Sequence, residues 1–149
     1  MLVALGCIVL VVTNSRAGTR FAIDAVTALR LLRDDPDVGA RHSLVGPSVL
    51  RSHVLAMLYT EVRSGRLDET TARNQLERLA VLKIRLLGDR VSRAAAWKIA
   101  RQLDWEDVTA AEYLAVATLQ ADVLVAGDRR LAEAATGLIA LSPYDALRH

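Results

Sequence analysis

A chain of 149 residues, 52% of them hydrophobic, is long enough to bury one sizeable core and too short to expect two, so a single domain is expected. Its 19 Lys plus Arg against 17 Asp plus Glu leave a net charge of +2, which excludes the strong electrostatic footprint of a dedicated nucleic-acid binder and leaves such contacts to local clusters. One cysteine, Cys7, excludes an internal disulfide framework and a cysteine-based zinc site, and makes a reducing compartment, the cytoplasm, the first expectation.

The chain opens on MLVALGCIVLVV, which carries no charge but is shorter than the roughly 20 apolar residues a membrane-spanning helix needs. A buried extra strand, a signal or membrane remnant, and an upstream mis-start are all open readings. The signal reading has an apolar core of suitable length and a small-x-small triplet at Ser15 to Ala17, but no positive n-region. Residues 1–18 therefore stand as an apolar extension, with residues 19–149 as the domain.

Within that domain, Phe21 to Ile23 read as a short strand, Asp24 as an acidic turn, and Ala25, Ala28, Leu29 and Leu32 as a helical stripe. The plan repeats with Leu44 and Val45 as strand, Gly46-Pro47 as turn, and Leu50, Val54, Met57 and Leu58 as the apolar face of a helix ending near Gly65. Asp68 is placed to cap a second helix carrying Ala72, Leu76, Leu79 and Ala80, so the two should form a helical hairpin. VLKIRLLGD alternates as a half-exposed strand does, and Asp89 can cap a helix bearing Val91, Ala95, Ile99 and Leu103. A helix from about Thr109 is apolar nearly all round and the strand VLVA at 123–126 is uninterrupted, the pattern of elements buried on both sides. DRRLAEAA reads as a short helix and LIAL at 138–141 as a last strand.

Strands alternating with helices predict an α/β/α sandwich with a mainly parallel central sheet, whose active sites lie beyond the carboxyl ends of the strands. Two residues then stand out, because Asp24 follows the first strand directly and Asp128 follows VLVA by one glycine. Each can be a helix N-cap. Together, two aspartates at corresponding strand ends suggest the hard oxygen site that Mg²⁺ or Mn²⁺ favours. Asp122, just before the late strand, should sit at the opposite rim in a structural role.

FAIDAVTALRLL, GPSVLRSHVLAML and EYLAVATLQADVLVAGDRRLA, in that order and spacing, resemble a PIN-domain ribonuclease, and most closely a VapC-type toxin of a bacterial toxin–antitoxin system. The resemblance covers roughly residues 20–142, and its most specific piece is Tyr113, Ala115 and Ala117 followed by an apolar strand and Asp128. It implies a PIN-like fold and a metal-dependent endoribonuclease that hydrolyses RNA phosphodiesters with Mg²⁺ or Mn²⁺ held by acidic residues. It also implies a small homodimer neutralised by a cognate antitoxin. Asp24 and Asp128 match the family's acidic positions as metal ligands. At the other two usual positions the chain has His53 and Ala110.

Helix phase at about 100° per residue sets Asp107 about 60° from Ala110, Glu106 about 40° and Glu112 about 200°. Asp107 is therefore the first substitute, provided the helix extends back that far; if it starts at Thr109, the longer Glu112 is the second. The catalytic candidates are Asp24, Asp128, Asp107 and Glu112. His53 is either a neutral imidazole ligand or a packed helix residue. Arg129 and Arg130 either meet RNA phosphate or begin a solvated helix, and Glu61 is expected to reach solvent or pair with an arginine such as Arg66. The competing function is a catalytically weakened PIN-fold binding or scaffold protein, motivated by the two missing carboxylates. A membrane-associated form through residues 1–12 is a third reading.

Overall fold

The structure, a computed structural model, describes residues 18–149. The readings of the apolar N-terminus fall outside the described residues.

Strand β1 (Arg20–Ile23) buries Phe21, Ala22 and Ile23. Helix α1 (Ala25–Asp34) starts at once because Asp24 caps it, accepting from the Thr27 N–H, and it buries Ala28, Leu29, Leu31 and Leu32. A four-residue helix α2 (Val38–Arg41), too short for periodicity to reveal, leads to β2 (Ser43–Pro47), which runs parallel to β1. Helices α3 (Leu50–Arg63) and α4 (Glu69–Val81) form the expected hairpin, with Asp68 capping α4 through the Thr71 N–H at 3.0 Å. Strand β3 (Arg85–Leu87) is shorter than the alternation suggests; Asp89 then caps α5 (Arg90–Gln102) through Ser92.

Helix α6 (Thr109–Gln120) is buried nearly all round, as its composition predicts, because it packs on α5 on one side and on β1 and β2 on the other. Strand β4 (Val123–Val125) pairs in parallel with β1, and α7 (Arg129–Ala135) follows. The expected last strand at 138–141 is reduced to one bridge between Leu124 and Leu141. Its first residues are consumed by the turn that ends α7, where Leu138 and Ile139 both donate to the Ala135 carbonyl around Gly137, and Leu138 and Leu141 remain exposed. A 3₁₀ turn, Tyr144–Arg148, closes the chain by burying Leu147 and bonding the Tyr144 hydroxyl to Asp34 at 3.0 Å.

The sheet order is β3-β2-β1-β4, all parallel. Helices α1, α3 and α4 pack on one another as one layer and α5 with α6 as the other, giving the three-layer α/β/α sandwich. Successive strands step from β1 to β2 to β3 in one direction, and the chain then returns to place β4 on the other side of β1. The order therefore reverses between β1 and β4, and such a switch point opens a crevice beyond the carboxyl ends of those two strands. At the opposite rim Asp122 takes the Arg20 N–H at 2.8 Å and its guanidinium at 3.2 Å, in the structural role expected of it. Among the described residues no helix is long and apolar enough to cross a membrane.

Candidate active site at the strand switch point

Asp24 follows β1 directly and Asp128 comes shortly after β4, so both sit where the crevice opens. Asp24 is only 1% exposed, and its carboxylate is held by three backbone amides. Oδ1 accepts from Thr27 at 2.8 Å and Gly127 at 3.0 Å; Oδ2 accepts from Gly127 at 3.0 Å and Asp128 at 2.8 Å. The N-terminus of α1 and the Gly127–Asp128 segment that precedes α7 thus converge on one buried carboxylate, which offsets the cost of removing it from water. The Thr27 hydroxyl adds a second stitch by donating to the Val125 carbonyl at 3.0 Å. Gly127 makes this closeness possible: a Cβ there would meet Val26 Cγ1 at 2.5 Å.

Asp128 caps α7 with one oxygen only, Oδ1 accepting from Arg130 at 2.8 Å and Leu131 at 3.3 Å. Its Oδ2 has no hydrogen-bond partner among the described residues. Asp107 has the same character, with Oδ1 accepting from the Thr109 N–H at 2.8 Å and no backbone amide on Oδ2 among the described residues. Helix α6 does begin at Thr109, so the helical projection that favoured Asp107 does not apply, yet Asp107 reaches the crevice by another route. Helix α5 ends in a Schellman turn in which Asp104 takes a left-handed φ of 54°, its N–H bonds Arg101, and the Trp105 N–H bonds Ala100. That reversal delivers Trp105 and Asp107 to the rim. Hydrogen bonding from Thr109, with weaker help from the charges of His53 and Arg130, holds the Asp107 carboxyl below its ordinary range.

The resulting cleft, about 310 Å³, is lined by Asp24, His53, Asp107, Ala110, Tyr113 and Asp128 with apolar neighbours. His53 Nδ1 lies 2.6 Å from the Tyr113 hydroxyl, and the two rings stack. Burial first, then the charges of Asp24 and Glu112, pushes the Tyr113 phenol well above its ordinary value, so it remains a neutral hydroxyl. Glu112 is not among the cleft-lining residues, because the helix starting at Thr109 carries it round from Ala110, as the phase argument indicated. Arg129 is solvated and pairs with Glu133 at 3.3 Å, whereas Arg130 lies over the Trp105 ring at 4.3 Å beside the cleft. Glu61 pairs with Arg33 at 2.6 Å, not with Arg66.

Trp105 and Thr27 had no visible signal of their own in the sequence. Thr27 sits at the third helical position after the Asp24 cap, a pattern that marks a helix start but not a bond to β4.

Hard carboxylate oxygens are the donor type that Mg²⁺ and Mn²⁺ prefer, and Mg²⁺ is commonly held by one or two carboxylates plus substrate phosphates and water. Asp107 and Asp128, each with one oxygen free of backbone amides among the described residues, supply that donor type on one cleft. Among the described residues no three His, Cys, Asp or Glu side chains gather into a protein-only metal cage.

No protein-family model matches the chain, and no curated protein matches it. The crystal structure of PAE2754 from Pyrobaculum aerophilum is similar, with a TM-score of 0.67 and 21% identity over 87% of this chain and 88% of that one. The likeness shows a shared α/β/α fold.

Proposed function

We propose that the chain is a Mg²⁺- or Mn²⁺-dependent endoribonuclease of the PIN type, acting as the toxin of a toxin–antitoxin pair. The observation that carries this reading is the convergence of Asp24, Asp107 and Asp128, from three separate segments, on one cleft at the strand switch point. When bound, the cation would polarise a phosphoryl oxygen and lower the pKa of its water. Asp128 and Asp107 would hold it through Oδ2. Asp24 adds negative charge and fixes the Gly127–Asp128 turn, so that Asp128 is aimed before any ligand arrives. Arg130 places a cation beside Asp107, suited to an RNA phosphate. The resemblance to VapC toxins supports the RNA substrate, a homodimer and a cognate antitoxin.

Cleavage of single-stranded RNA by the purified chain with Mn²⁺ tests this, alongside Asp128→Asn and Asp107→Asn. Asparagine retains the Oδ1 acceptor of each cap while removing the charge, so these variants should fold and lose at least tenfold in rate. Wild-type cleavage equal to that of both variants would remove the assignment. The second reading, a PIN-fold binding module without catalysis, is favoured by the lack of a three-ligand metal group among the described residues and by His53 and Ala110 in the cleft wall. RNA bound but left intact with both Mg²⁺ and Mn²⁺ selects it.

A further inference from the structure

Helix α5, RVSRAAAWKIARQ, contains four cations and no acid, although the whole chain is nearly balanced in charge. Arg90, Arg93, Lys98 and Arg101 are all exposed, and none forms an ion pair among the described residues, although Arg93 Nη1 donates to the Gly88 carbonyl at 3.0 Å and leaves its other N–H groups to a ligand. Trp97 stands in the middle of them, 66% exposed. Arg93, Trp97 and Arg101 recur every four residues, so they line one helical face over about 12 Å, at roughly 1.5 Å per residue. Trp97, Lys98, Arg101 and Gln102 border a shallow groove.

The C-terminal end of this helix leads into the turn beside the cleft. The carbonyls of Ala100 and Arg101 hold the turn that presents Trp105, Arg130 stacks on Trp105, and Asp107 follows two residues later at the cleft rim. Cations at helical spacing beside an exposed indole match a single strand of nucleic acid, whose phosphates take the guanidinium forks and whose unpaired bases stack on the ring. We propose that the exposed face of α5 is a track for single-stranded RNA leading into the cleft, with Trp97 as the stacking platform and Arg93, Lys98 and Arg101 on successive phosphates. The inference rests on the nuclease reading for its ligand and assigns the approach path that the carboxylates leave unspecified.

The test is fluorescence anisotropy of a labelled single-stranded RNA on the full chain, in chelator so that cleavage plays no part. Trp97→Ala should weaken binding at least about fivefold, and Trp97→Phe should stay within about twofold of wild type. Arg93→Ala with Arg101→Ala should flatten the slope of log affinity against log salt by roughly 1.4, at about 0.7 per phosphate contact on a single strand. All three positions are on the surface, and circular dichroism checks that the variants fold. Wild-type affinity and salt slope in these variants would overturn the proposal, as would tighter binding of duplex than of single-stranded RNA. A dimer that Trp97→Ala dissociates while affinity per chain is unchanged would also overturn it, reassigning the face to a second copy. Cleavage with Mn²⁺ by a wild type whose binding ignores Trp97 sinks the track and spares the nuclease reading. Trp97-dependent binding without cleavage does the reverse.

Discussion

Asp24→Asn changes one atom of a side chain that is 1% exposed and surrounded by donors. Oδ1 serves Thr27 and Gly127, and Oδ2 serves Gly127 and Asp128. Whichever side the new amide nitrogen occupies, it faces a backbone N–H that cannot accept, so either Thr27 or Asp128 loses its partner. A buried donor left unpaired costs about 1–3 kcal/mol, and a hydrogen bond to a charged acceptor contributes about 1.5–3 kcal/mol; the two overlap, so about 3 kcal/mol is expected. For a chain of this size that corresponds to a fall of about 6–12 °C in melting temperature. Asp128→Asn, which keeps its Oδ1 cap, should change stability by no more than about 0.5 kcal/mol, since Asn and Asp cap equally well. Urea and thermal unfolding of both variants in chelator measure this. Asp24→Asn as stable as wild type, or Asp128→Asn equally destabilised, would refute the reasoning.

Three further outcomes follow from the same geometry. Gly127→Ala should cost about 1–3 kcal/mol in urea unfolding, because the new Cβ meets Val26 Cγ1 at 2.5 Å, and Val26→Ala in the same chain should recover only part of it, since the Val26 Cβ still stands at 2.9 Å and the Thr27 nitrogen at 3.3 Å. Asp104→Gly should stabilise by about 0.5–1 kcal/mol, relieving a left-handed residue at a helix end; no gain in melting temperature would count against the turn. The Arg20 hydrogen bonds hold the Asp122 carboxyl below its ordinary value, so its contribution is present above about pH 4, the unfolded value, and is lost as pH falls through the folded one. Asp122→Asn should therefore lower stability at neutral pH and show a shallower acid limb in pH-dependent melting.

The parts of the site that lie at strand ends were legible from the sequence. Asp24 and Asp128 each follow an apolar run, and parallel strands put both on one rim whatever the order of the sheet. The switch point between β1 and β4 was not legible, because strand order depends on which helices cover which face. Asp107 was reached by a helix projection whose premise fails at Thr109; what places it is the turn at Asp104, which no glycine advertises. Glu61 illustrates the limit of local reading, since its partner Arg33 lies 28 residues away on α1. The strand expected at 138–141 failed for a related reason: an apolar run is only a candidate for burial, and the end of α7 claims its first residues.

The central claim is that the carboxylates at the strand switch point form a hard-cation site. Titration of Mn²⁺ into the full chain by calorimetry tests it most directly, comparing wild type with Asp128→Asn, whose stability should be unchanged. Saturable binding at millimolar or tighter affinity, weakened at least tenfold in Asp128→Asn, is the predicted result. Absence of saturable binding, or equal binding by the two proteins, would contradict it.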